Sequence, residues 1–268
     1  MKYKLLDSGK EQKLEQFGEH ILARPCSQAV WNPLLSPSEW KGAKATFTRE
    51  PANRWVGALP SSWVVEHEGV LFKLMPTDFG HIGMFPEHGA LWSWMRQHLS
   101  TKSRLLNLFA YTGGATLVAA QTGAEVCHVD ASKTSVAWAR ENAALNGLEK
   151  APVRWIIDDV LKFLGREVRR GQQYTGIILD PPTFGRGSKG EVFKIEKDLP
   201  EILRLCFSLL SPGPSFVILS SHTPGYTPLV LRHLLYQEKK EGKIEMGELT
   251  IRGPLDLPSG TYARWCNE

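Results

Sequence analysis

Residues 105–130 limit what this chain can fold into more than any other stretch. Leu105-Leu106-Asn107-Leu108-Phe109 is short and mostly apolar, as expected of a strand buried on both faces in a parallel sheet. Tyr111-Thr112-Gly113-Gly114 follows, and adjacent glycines can take backbone angles closed to other residues. Residues 115–121 are small and apolar, which predicts a packed helix leaving that turn. Gly123-Ala124 closes the helix, and residues 125–130 form the next strand, ending on Asp130. A glycine turn beneath a helix N-terminus lets a ligand approach bare backbone and its N–H groups. An acid ending the second strand can accept hydrogen bonds from both hydroxyls of a ribose. Together these features predict an adenosine-containing ligand.

The dinucleotide fingerprint needs G-x-G-x-x-G to hold a pyrophosphate. Only Gly113-Gly114 is present, so a pyrophosphate is poorly provided for. The run Asn107-Leu108-Phe109-Ala110-Tyr111-Thr112-Gly113-Gly114 resembles the first motif of class I S-adenosylmethionine (SAM) methyltransferases, in the branch that contains bacterial large-subunit ribosomal RNA methyltransferases. The resemblance implies an α/β fold: a doubly wound, mostly parallel seven-stranded Rossmann-like sheet. It implies SAM as methyl donor, held by Asn107, Phe109, Tyr111, Thr112, Gly113, Gly114, Asp130 and Ala131.

Ser132 is placed to cap a helix over residues 133–146, which Gly147 ends, with Val136, Ala139, Ala143 and Ala144 facing the sheet. The third strand, residues 153–157, runs into Asp158-Asp159. In the resembling family an acid here accepts from the adenine amino group; Asp159 fits better by its offset, with the other member capping the helix over residues 160–169. The fourth strand, residues 175–179, leads into Asp180-Pro181-Pro182-Thr183-Phe184. Residues 215–219 form the fifth, after a helix over residues 199–210. A helix over residues 229–239 and strands over residues 244–251 and 261–265 close the sheet, the last one antiparallel by the resemblance.

Asp180 is the second strong feature. Two prolines fix backbone angles and remove two N–H donors, leaving a rigid strand end that presents a carboxylate and two carbonyl oxygens. Such acceptors suit an amine or a purine amide edge held against a sulfonium methyl, and Phe184 can stack on a flat base. Asp-Pro-Pro-Thr-Phe resembles the Asp/Asn-Pro-Pro-aromatic motif of methyltransferases acting on nitrogen in bases or amides, which implies Asp180 also beside the cofactor and Asp180, Pro181 and Phe184 as catalytic candidates. Members of the branch that methylate C5 of cytosine use a cysteine just after strand five. This chain has Ser220-Ser221-His222 there, which argues against C5 chemistry. Residues 184–191 carry three glycines and predict a mobile loop, whose Arg186 and Lys189, with Pro182 and His222, are candidates to hold a nucleic-acid substrate.

Residues 1–75 are unlike the rest. Short strands over residues 3–6, 20–23, 45–48, 62–67 and 70–74 alternate with turns, which predicts a small β-rich N-terminal domain before a methyltransferase domain over residues 76–268. Trp31, Trp40, Trp55 and Trp63 fall here and suit its core better than base stacking. Residues 79–88 form an irregular loop resembling the segment that borders the methionine end of SAM in the same branch, which carries the family's role onto Gly83, Phe85 and Glu87. A helix over residues 90–99 sets Trp92, Trp94 and Met95 on the core.

Net charge is +4 and the isoelectric point near 8.8, which permits an anionic partner without demanding one. Cys26, Cys127, Cys206 and Cys266 are scattered, so neither a metal site nor a disulfide framework is expected. With no signal peptide and no apolar run of spanning length, a cytoplasmic protein without a membrane partner is expected. The expected activity is methylation of a base nitrogen, a guanine in ribosomal RNA. The alternatives are a protein or small-molecule acceptor, or a SAM- or RNA-binding protein without catalysis.

Overall fold

The computed structural model describes residues 2–186, 190 and 192–267, with the backbone alone at Arg186. Two compact units form: Met1–Ala90 with Thr250–Ser259, and Leu91–Leu249 with Gly260–Glu268.

The first unit holds β1 (Tyr3–Gly9), β2 (Gln12–Phe17), β3 (His20–Pro25), α1 (Pro37–Trp40), β4 (Ala45–Thr48), β5 (Arg54–Gly57) and the hairpin β6 (Trp63–His67) with β7 (Val70–Leu74). Its five-stranded sheet runs β1-β2-β3-β4-β5, antiparallel except for β3 against β4. β2 and β5 escape a pattern reading because neither alternates cleanly. In β2 a buried polar network takes the place of apolar residues: the Arg24 guanidinium donates to both Glu15 oxygens at 2.7 and 2.9 Å, and the Tyr3 hydroxyl adds a third bond at 3.0 Å. Burial opposes ionisation of Glu15, yet the adjacent Arg24 holds its carboxyl below the usual range. The four tryptophans act as braces, half-buried rather than central. Three tie their indole N–H inward, Trp31 to Ser8 O, Trp40 to Asp7 Oδ2 and Trp55 to Thr77 O. The loop expected over residues 79–88 is regular at its end, where a 3₁₀ turn over Pro86–His88 feeds α2 (Gly89–His98).

The second unit continues with β8 (Arg104–Leu108), α3 (Gly114–Gln121), β9 (Glu125–Asp130), α4 (Lys133–Leu145), β10 (Val153–Ile157), α5 (Val160–Arg169), β11 (Gly176–Leu179), β12 (Phe184–Arg186), β13 (Val192–Lys194), α6 (Ile195–Ser208), β14 (Ser215–Ser221), α7 (Pro228–Glu238), β15 (Lys243–Ile251) and β16 (Leu257–Asn267). Seven strands order as β10-β9-β8-β11-β14-β16-β15. The first five are parallel and β16 runs antiparallel to β14, which is the expected doubly wound fold. Leu106, Leu108, Val129, Ile177, Leu179, Val217 and Leu219 are buried along the central strands, with Phe163, Leu164 and Trp265 packed against them. Cys127 and Cys206 lie in this core, as expected.

One local expectation fails, and a second is narrowed at its ends, its residues 187–189 and 191 lying outside the described residues. On α4 the buried face is Val136, Trp138, Ala139, Asn142 and Ala143, while Ala144 is exposed. The loop expected after Phe184 has ordered ends: β12 pairs with β13 antiparallel, Phe184 opposite Lys194. Glycines mark both a hairpin and a loop, and no apolar alternation distinguishes them in the sequence. Among the described residues no helix is long and apolar enough to cross a membrane.

Candidate active site

The turn between β8 and α3 is wound against its side chains. Phe109, Tyr111 and Gly113 have φ of 54°, 48° and 90°. Left-handed backbone at a non-glycine residue costs about 1–2 kcal/mol, so this conformation persists only where neighbours impose it. In this turn they do. Ala110 N–H donates to Val129 O at 3.1 Å and Gly113 N–H to Ala110 O at 2.9 Å. Asn142 Nδ2 reaches from α4 to Thr112 O at 3.0 Å. Tyr111 N–H donates to Asp130 Oδ2 and Ser132 N–H to Asp130 Oδ1, each at 2.8 Å. One carboxylate at the end of β9 thus anchors both the turn and the start of α4, whose cap is Ser132. Burial drives the Asp130 carboxyl above its ordinary range, against these two N–H donors.

The two glycines serve different ends. Gly113 supplies the positive φ that caps α3. At Gly114 a Cβ would stand 2.5 Å from Trp92 Cζ2, so helix packing excludes a side chain there. Asn107, expected at the cofactor, is buried, and its amide donates to Thr116 Oγ1 at 2.9 Å. The Thr116 hydroxyl also pairs with His128 Nδ1 at 2.9 Å. Burial lowers the His128 pKa to about 3, so the ring is neutral, and its Nε2 is buried without a partner. Thr112 is buried, while Phe109, Tyr111 and Ala131 are half-buried beside the turn.

Beyond β10 the two acids exchange the expected capping role. Asp159 caps α5, accepting Lys162 N–H at 2.9 Å. Asp158 pairs with Arg166 and accepts Asp159 N–H at 2.9 Å. The offset from the strand is a poor guide, because the cap belongs to whichever residue directly precedes the helix.

Asp180 stands at the same end of the sheet. Leu179 pairs in register with Leu108, so Asp180 follows β11 where Phe109 follows β8. Ser220 Oγ donates to Asp180 Oδ1 at 2.8 Å, and His222 Nε2 lies 3.6 Å from Asp180 Oδ2. Gly260 of β16 backs the imidazole: a Cβ there would lie 3.0 Å from His222 Nδ1. Pro181 is buried, Pro182 is exposed and Phe184 is 50% exposed at the start of β12. Thr183 Oγ1 and Thr223 Oγ1 join at 2.8 Å, tying the two loops together. Cys206 is fully buried and burial drives its thiol far up, so it is no nucleophile. The backbone of Arg186 lies in β12, and Lys189 lies outside the described residues.

In the first unit, Phe85 is half-buried with its ring 5.4 Å from His81, Glu87 is buried, and Gly83 has φ of 98°. Sequence reasoning missed Thr116, His128, Asn142, Ser220 and Gly260. The one signal for them is a polar residue inside an otherwise apolar element, as at His128 in β9 or Ser220 in β14.

A family profile described as S-adenosylmethionine-dependent methyltransferase matches residues 22–239. The crystal structure of a SAM-dependent methyltransferase from Agrobacterium tumefaciens matches with a TM-score of 0.94 at 39% identity, over 99% of this chain and 90% of that one. Ribosomal RNA large subunit methyltransferase K/L of Hahella chejuensis and of Marinobacter nauticus are 39% and 36% identical over 151 residues, 56% and 55% of this chain and 20% of each relative. The chain therefore spans about a fifth of the length of these curated relatives.

Proposed function

Because the chain belongs to the S-adenosylmethionine-dependent methyltransferase family, we propose that it methylates a nitrogen of a guanine base in ribosomal RNA. The register that sets Asp180 beside the locked turn at Phe109 carries this reading. The residues at that turn suit SAM. Asp130 offers a carboxylate to the ribose hydroxyls, Tyr111, Gly113, Gly114 and Ala131 flank it, and Asp158 and Asp159 end the neighbouring strand toward the adenine. When bound, SAM supplies a methyl carbon already activated by positive sulfur.

The chain's own residues then align an acceptor with that carbon. Asp180, oriented by the Ser220 hydroxyl, accepts a hydrogen bond from an N–H of the base, and the Pro181 carbonyl is a second acceptor. Phe184 stacks on the ring, while Pro182, His222 and the Arg186–Lys189 segment hold the surrounding RNA. In well-oriented systems positioning of this kind contributes up to about 7–11 kcal/mol of barrier lowering. RNA as the partner draws support from the names of the curated relatives and from the basic isoelectric point.

The test is transfer of tritiated methyl from SAM to unmodified ribosomal RNA. Label should appear on the RNA with wild-type protein and vanish with Asp180→Ala. An Asp180→Ala variant that methylates as fast as wild type refutes the roles of Asp180 and its neighbours. Label that survives ribonuclease treatment of an extract points to a protein acceptor instead.

A further inference from the structure

We propose that the N-terminal unit carries a further nucleotide-binding subsite, where the Phe79 ring stacks on a base of single-stranded RNA and the Arg49 guanidinium meets its phosphate. It rests on the reading of RNA as substrate, and concerns a nucleotide other than the one at Asp180. A cavity of about 130 Å³ in this unit is lined by Lys13, Arg24, Arg49 and Phe79, and at its other side by Phe85 and Glu87 of the segment matched to the methionine end of SAM, with Glu87 the one acid in its wall.

The charges there are not equivalent. Arg24 is buried and committed to Glu15, and Lys13 lies 3.3 Å from the same carboxylate. Arg49 is exposed and makes no ion pair among the described residues. The positive charge open to a ligand is therefore the Arg49 guanidinium.

Phe79 is 72% exposed, on a turn that is held fast. Arg24 Nη1 donates to Gly80 O at 3.1 Å, and Gly80 N–H to Thr77 O at 3.1 Å. Thr77 Oγ1 donates to His81 O at 2.8 Å, and Trp55 Nε1 pins Thr77 O at 3.0 Å. Gly80 has φ of 79° and lies so close to Phe47 that a Cβ would stand 2.6 Å from Cδ1. The buried Glu15–Arg24 pair thus does more than fill the sheet: it anchors the segment that presents the ring. An exposed aromatic ring on a held turn, lining one cavity with an unpaired guanidinium, is the combination that takes an unpaired nucleotide, because every base has a π-face and every linkage a phosphate. An acidic peptide would use the cations and leave the ring idle.

The test measures binding of fluorescein-labelled single-stranded RNA, and methylation of unmodified ribosomal RNA, by the full chain. Phe79→Ala should weaken RNA binding roughly ten-fold, and Phe79→Trp should restore it. Arg49→Ala should lower the slope of log Kd against log salt by about one. SAM affinity should be unchanged in Arg49→Ala, since Arg49 is exposed and lies outside the loop over residues 79–88. Wild-type-like RNA binding by both alanine variants, with methylation of RNA intact, overturns this subsite and leaves the proposed activity standing. A wild-type protein that neither binds nor methylates RNA overturns the substrate reading itself, and the subsite with it. Competition by an acidic peptide but not by RNA also overturns the subsite.

Discussion

Replacing Thr116 by valine tests the network beneath the cofactor turn. Valine keeps the shape and the branching at Cβ, and its helix propensity is close to that of threonine. The change therefore removes one hydroxyl and little else. That hydroxyl is fully buried and satisfies two groups at 2.9 Å each, the Asn107 amide and His128 Nδ1. An unsatisfied buried polar group costs about 1–3 kcal/mol. His128 already holds one unpartnered nitrogen, so it has no alternative bond to relax into. We expect Thr116→Val to lose about 2–4 kcal/mol in urea unfolding of the full chain. Thr116→Ser keeps the hydroxyl and should lose about 1 kcal/mol for the buried methyl. Because α3 begins at Gly114, loosening Thr116 also slackens the left-handed turn, and the Kd for SAM should rise in Thr116→Val more than in Thr116→Ser. A valine variant within about 0.5 kcal/mol of wild type, the range of neutral surface changes, would refute the account of this network.

Two further outcomes follow from the same geometry. Burial puts the folded-state pKa of His128 at about 3, below the ordinary 6.5. Between those values the unfolded chain binds a proton that the folded chain does not, so stability falls as pH drops, by about 1.4 kcal/mol per unit. His128→Gln should flatten that slope by one proton in unfolding curves at pH 6, 5 and 4, and an unchanged slope would show that the ring titrates in the fold. Gly260→Ala places a Cβ 3.0 Å from His222 Nδ1 at a backbone φ of 153°. It should cut methyl transfer about ten-fold or more while SAM binding holds, and unaltered turnover would remove His222 from the acceptor site.

How much of the fold and the site is legible in the sequence varies with the source of each element's stability. β8, β9, β11 and β14 are buried runs whose apolar content alone announces them, and α4 carries its start signal in Ser132. β2 has no such signal, since Lys13, Glu15 and Gln16 look like surface until Arg24 and Tyr3 fold over Glu15. The turn at residues 109–113 shows its glycines, but not that Phe109 and Tyr111 also take left-handed angles, because those angles are imposed by Asp130 and Asn142 from elsewhere in the chain. Asn107 looks like a ligand contact because it sits in the motif, yet its amide faces inward to Thr116. Local patterns record the elements; the long-range polar bonds that shape the site leave almost no local trace.

A small core in the first unit joins Leu5, Cys26 and Ala29 to Ile251 and Leu257, and Gly253 comes so near Leu5 that a Cβ would stand 2.7 Å from its Cδ2. On a ribosome Leu5, Cys26 and Ala29 emerge long before Ile251 and Leu257. The strands over residues 3–25 therefore wait, with part of their apolar surface uncovered, until residues 251–257 have been made. A chain cut short before residue 250 leaves that core open however well its sheet has formed.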